Sequence, residues 1–210
     1  SNDGIMVAWV KIGIASGLLA VLVYPILILA SLPRIAQVLL GGTFGPALAV
    51  ASIALAHVLQ MREHAPSIEL ASMSNALAGA LVTAEILIQL AINYSTSPVA
   101  DTQLASILRN RIWDVVLGLD VSFDIFIGLG TLLFAIRMMR DPRFGKIIGW
   151  AGVFVSVVML FGANIFFFPD PPYTHGFPHV GIFTGLWYLA VVLLMIRTLR
   201  TNQLFGLKDE

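Results

Sequence analysis

Cysteine is absent from the chain, so disulfides, thiolate metal sites and cysteine nucleophiles are excluded. Charge is almost as scarce. Twelve Lys and Arg face twelve Asp and Glu, together 11% of 210 residues, with no net charge at neutral pH. Soluble domains carry roughly 25% charged residues, so this composition already argues against a soluble chain. The zero balance also argues against a nucleic-acid partner. No Gly-rich phosphate loop, HExxH motif, nucleophile elbow or kinase-like signature occurs. What fills the space is apolar: 58% hydrophobic residues and a mean hydropathy of +0.90. This is the composition of an integral membrane protein, whose first partner is the lipid bilayer.

The apolar residues group into six runs of roughly 20 residues, the length that crosses about 30 Å of hydrocarbon. They cover about 13–32, 43–61, 70–93, 112–139, 147–168 and 180–199. Pro25 is expected to kink the first. That run is too long for a signal-peptide core and is read as a retained helix. An interfacial turn over 35–40 is expected before the second run, and a short interfacial helix over 102–108 before the fourth. The fold class expected is all-α: one domain, a single bundle of six transmembrane helices. Lys and Arg set its orientation. With both termini cytoplasmic, Lys11, Arg62, Arg137, Arg140, Arg143, Lys146, Arg197, Arg200 and Lys208 lie inside, and only Arg34, Arg109 and Arg111 outside. The expected location is the plasma membrane, in a bacterium the inner one.

Against this background the acidic residues within the runs stand out. The fourth run carries Asp114, Asp120 and Asp124. A carboxylate in hydrocarbon costs several kcal/mol unless it is protonated, paired or hydrated, so it must face the bundle interior or a wet cavity. Asp120, Asp124 and Thr131 fall within about 40° of one another on a helical wheel, with Trp113 on the same stripe. Asp114 follows Arg111 at the spacing of a surface ion pair. The third run has a stripe of its own, Asn75, Glu85, Gln89 and Asn93, within about 80° of arc. Glu85 lies about 12 Å from the outer end of its helix, and Asp120 is at a similar depth.

The buried polar pocket expected from these stripes comprises Glu85, Asp120, Asp124, Gln89, Asn93 and Asn164, opening outward beneath His175 and His179. Glu85 and Asp120 are expected to lie close together and share a proton. The alternative reading has the polar groups pair off and hold helices together. His175 and His179 have the i,i+4 spacing of some zinc ligands. Gly176 and Pro178 intervene, so they remain weak metal candidates. His57 stands alone on an apolar helix; haem ligation is open to it, and so is simple packing. No cofactor is implied. The glycines at 118, 128, 130, 149, 152 and 162 read as close helix contacts.

One stretch runs Trp113-Asp114-Val115-Val116-Leu117-Gly118-Leu119. It is followed by the turn Pro142-Arg143-Phe144-Gly145-Lys146, by Gly149-Trp150-Ala151-Gly152 and by Gly185-Leu186-Trp187-Tyr188-Leu189. These segments resemble the bacterial six-helix membrane family catalogued as domain-of-unknown-function 4386. The resemblance implies a six-helix fold and no catalytic residues. Two functional readings therefore stand. The first is a non-enzymatic membrane protein: a small-solute or proton-linked carrier, or an accessory subunit with a membrane-protein partner or a second copy of itself. The second is an intramembrane enzyme or a cofactor- or metal-binding protein that uses the carboxylates and the histidine pair.

Overall fold

The computed structural model describes residues 2–94, 103–164 and 180–201, and among them it is helical with no strand. Helix α1 spans Asn2–Leu29, α2 Arg34–Gln60, α3 Pro66–Tyr94 and α4 Gln103–Met138. Helix α5 covers Gly145–Phe154 and runs straight into a π-helical segment, Val155–Asn164; α6 covers Val180–Arg200. Among the described residues five helices are long and apolar enough to cross a membrane, and Gly145–Val158 is a shorter apolar helix.

The turns follow from local chemistry. Pro33, extended at φ −57° and ψ 149°, ends the first helical run and leads into α2. There the side chain of Gln37 donates to the Leu32 carbonyl at 2.9 Å. Pro66 opens α3 at the first helical position, where its missing N–H leaves no bond unmade. Gly145 takes φ +84° after α4, a conformation that favours glycine, and its N–H donates to Asp141 O at 2.9 Å.

Two expected interfacial pieces are instead continuous helix. Residues 35–40 form the first turns of α2, and 103–108 the first turns of α4. Regular backbone bonding along one axis satisfies more polar groups than a break would. The fifth run departs in the other direction, from α to π. Ser156 Oγ donates to the Gly152 carbonyl at 2.8 Å, the oxygen that an α-helix reserves for the Ser156 N–H, and the widened turns begin beside it.

Each helix packs on its neighbours in the chain, and α6 returns to α1, closing a ring. Small residues set the closeness of several contacts. Gly45 of α2 and Gly79 of α3 bring their backbones together so tightly that a Cβ on either would overlap the other. Gly149 rests on the Ala135 carbonyl, and Gly152 on the Trp187 ring, whose Nε1 donates to Ile148 O at 2.9 Å. Gly118 has nothing within 4 Å of a Cβ placed on it, so the close-contact reading does not extend to it. Leu22, Leu39, Met73, Val115, Trp150 and Leu186 project outward from the six helices in turn. An apolar perimeter of that extent suits lipid and not water.

Candidate functional site

The described interior is layered, and the layers can be placed from the antiparallel register of α3 and α4. Asn75 meets Gly130, and Ser67 accepts a hydrogen bond from Arg137 Nε at 2.7 Å. Stepping equally along both helices from those contacts brings Glu85 opposite Asp120, about 15 Å from Asn75. The same reasoning on α1 and α2, from Trp9 on His57 and Tyr24 on Phe44, sets Tyr24 and Pro25 near that level.

At the acidic level, Glu85 and Asp124 are each 8% exposed and Asp120 is half-buried. Glu85 lies within electrostatic reach of Asp120 and Asp124, Asp120 reaches Asp124, and all three reach the Tyr24 hydroxyl. Gln89, one turn along α3, donates to Glu85 Oε1 at 2.7 Å. Pro25 removes the N–H that would bond Val21 O in α1, and Pro46 does the same to Gly42 O in α2. Two helices are thus weakened near the depth where the carboxylates gather.

Next comes an apolar layer. Ala20, Ala47, Leu48, Ala78, Ile127 and Leu160 pack together there, with Phe44, Phe123 and Phe126 against them. Beyond it sits a polar hub that joins four helices. Asn75 Nδ2 donates to Ser52 Oγ at 3.0 Å and to Tyr188 Oη at 2.6 Å, and Tyr188 Oη pairs with Thr131 Oγ1 at 3.0 Å. Asn75 and Thr131 are fully buried. Asn75 Oδ1 and Thr184 Oγ1 are buried without a hydrogen-bond partner among the described residues. A second apolar core follows, with Leu55, Leu59, Ile68, Phe134, Met138 and Met195.

The far end is closed by a buried ion pair. Arg143 Nη2 lies 2.6 Å from Asp141 Oδ2 and donates to the Val58 carbonyl at 2.7 Å; Nε also reaches the Asp141 carboxylate. Arg137 of this end is half-buried and handled differently, its Nη1 2.7 Å from the exposed Glu63 carboxylate.

The polar residues singled out in the sequence thus divide. Glu85, Gln89, Asp120 and Asp124 gather at one level. Asn75 leaves the α3 stripe for the hub, and Thr131 leaves the α4 stripe for the same place. Asn93 and Trp113 are exposed, outside the buried set. Asn164 closes the π-helical segment, and its side chain lies outside the described residues, as do His175 and His179 entirely. His57 packs edge-on against Trp9, ring centroids 4.1 Å apart. Arg111 and Asp114 make the surface pair at 3.2 Å. Among the described residues no group of three His, Asp or Glu is placed to hold a metal ion.

The hub is the feature that stripe-reading missed. Its members are Ser52, Asn75, Thr131 and Tyr188, one of the several hydroxyls or amides in each of four apolar runs, so the grouping is visible only when four helices are considered together.

Comparison with known proteins finds no matching family model, no matching curated protein and no matching solved structure. The chemistry of the layers therefore has to carry the functional reading.

Proposed function

We propose that the chain is a proton-linked carrier of a small solute in the plasma membrane, crossing it six times with both termini cytoplasmic. The observation that carries this reading is the acidic level. Glu85 and Asp124 are buried on adjacent antiparallel helices within reach of Asp120. Helix adhesion does not call for such groups. The Asn75 hub already joins four helices with neutral side chains, whereas each carboxylate in hydrocarbon costs several kcal/mol unless neutralised. Acids kept at that cost suit a site that takes up and releases protons or binds a cationic group.

In this reading the apolar layer from Ala20 to Leu160 is the inner barrier beneath the carboxylates. Pro25 and Pro46, near the same depth, are the points at which α1 and α2 bend to open it. The orientation follows the excess of Lys and Arg on the side of the Arg143 turn.

The test uses proteoliposomes with a luminal pH dye, exposed to pools of small solutes. At least one pool should shift luminal pH through the unmodified protein, and Glu85→Gln should abolish the shift while folding normally. Silence with every pool, together with stable co-purification of a membrane partner, would replace the carrier with an accessory subunit.

A further inference from the structure

A shallow cleft opens at the opposite end of the bundle from the acidic level, lined by Leu59, Arg62, Glu63, Ile68, Arg137, Arg140 and Asp141. Its charges do not cancel. Asp141 is taken by Arg143 and Glu63 by Arg137. Arg62 and Arg140 are exposed and, among the described residues, have no side-chain hydrogen bond or ion pair. Nor are these two arginines needed to cap the helix ends beside them. The Leu59 carbonyl accepts from Arg62 N, and the Arg137 and Met138 carbonyls accept from Arg140 N and Asp141 N. The cleft therefore offers two spare guanidinium groups above an apolar floor of Leu59 and Ile68. Guanidinium groups bind phosphate oxygens in a planar, bidentate way.

The geometry points to a binding site for the phosphate of an anionic phospholipid headgroup, held between Arg62 and Arg140. The inference rests on the membrane reading above, which puts this end of the bundle at the cytoplasmic headgroup layer. A lipid fits better than free phosphate because the bundle's outer face carries exposed Ile136, one turn before Arg140, and exposed Ile147 and Trp150, along which acyl chains can lie. Basic pockets of this kind at the cytoplasmic ends of membrane helices suit anionic headgroups.

The experiment titrates the purified full chain in neutral detergent with short-chain phosphatidylglycerol, short-chain phosphatidylcholine and inorganic phosphate. Phosphatidylglycerol should bind in preference to phosphatidylcholine, and millimolar phosphate should not displace it. Arg62→Gln with Arg140→Gln should weaken phosphatidylglycerol binding roughly thirty-fold, as expected for two arginines near a charged surface. Arg34→Gln, at the other end and stacked over Tyr94, should leave it unchanged. If the double glutamine variant fails to fold, Arg62→Lys with Arg140→Lys keeps the charge but loses the fork, and should weaken binding by a smaller factor. Equal binding by the unmodified protein and a folded glutamine variant overturns the site. Displacement by inorganic phosphate makes it a free-phosphate site and overturns the lipid. Alkaline carbonate extraction separates the two levels of failure. A chain retained in membranes that ignores phosphatidylglycerol overturns this site alone, and a chain released from them overturns the membrane reading as well.

Discussion

The side-chain oxygen of Asn75 rests directly against the backbone of Gly130, at a spot where any Cβ would overlap it. The contact fixes the register of α3 on α4 and holds the Asn75 amide toward Ser52 and Tyr188. Gly130→Ala must therefore push Asn75 aside, and overpacking of this kind costs about 1–3 kcal/mol. Asn75→Ala alone removes two hydrogen bonds but clears the same space. The double variant should be less destabilised than the two single losses added together, because the clash with the Asn75 side chain is gone and only the tight approach to the Ala71 carbonyl, 2.9 Å from the new Cβ, is left. Thermal unfolding of the four proteins in detergent measures the coupling; strict additivity would mean that Asn75 does not sit against Gly130.

The buried pair at the other end predicts a different pattern. Arg143 and Asp141 are almost wholly enclosed, and Arg143 also ties the α4–α5 turn to the end of α2 through the Val58 carbonyl. Arg143→Ala strands the Asp141 carboxylate and should cost about 3–5 kcal/mol. Replacing both, with Arg143→Met and Asp141→Leu, leaves no stranded charge and should cost much less. A double variant as unstable as the single one would show that the Val58 tether, not the ion pair, holds the turn.

These two sites show how far the sequence could be read. Apolar run length locates the helices because hydrocarbon thickness sets a minimum length. The depth of Glu85 and Asp120 follows from counting residues along two antiparallel helices. What the runs do not reveal is which neighbour each polar side chain meets, since that depends on helix rotation and crossing. Asn75 and Glu85 share a stripe, yet one serves the hub and the other the acidic level. The Pro142–Lys146 segment reads as a turn on the basic side, and its Arg143 is buried because Asp141 two residues earlier neutralises it. Pro33-Arg34 and Pro142-Arg143 are the same dipeptide in different settings. Arg34 is exposed over Tyr94, whereas Arg143 is enclosed. Gly185–Leu189 reads as a short motif, and the structure gives its aromatics separate tasks: Trp187 anchors α5 and Tyr188 completes the hub.

Orientation can be tested because the chain has no cysteine of its own. Ser31, between α1 and α2, and Lys146, at the start of α5, are both exposed at opposite ends of the bundle. Ser31→Cys should react with an impermeant maleimide added to intact cells. Lys146→Cys should react only after the membrane is opened. Labelling of both from outside would break the six-crossing topology, and the reverse pattern would invert it.

The last prediction concerns Glu85 and Asp120. Register places them opposite one another on α3 and α4, and packed helix axes lie about 8–10 Å apart, so their side chains can approach across the contact. Glu85→Cys with Asp120→Cys should be joined by a short bifunctional thiol reagent. Glu85→Cys with Val115→Cys should not, because Val115 is 57% exposed and faces outward. The same geometry governs single substitutions. Asp120→Asn keeps a group able to make the hydrogen bonds of a neutral acid, so the fold should tolerate it. Asp120→Leu removes that capacity and should cost roughly 1–3 kcal/mol, since a polar neighbour loses its partner. Transport separates the roles further. A proton-linked carrier with Asp120→Asn should fold at normal yield yet lose the coupled pH change, because an amide cannot take up and release a proton. No cross-link between positions 85 and 120, with efficient linkage of 85 to 115, would mean that Asp120 points away from Glu85. The shared acidic level would then be lost, and the carrier reading with it.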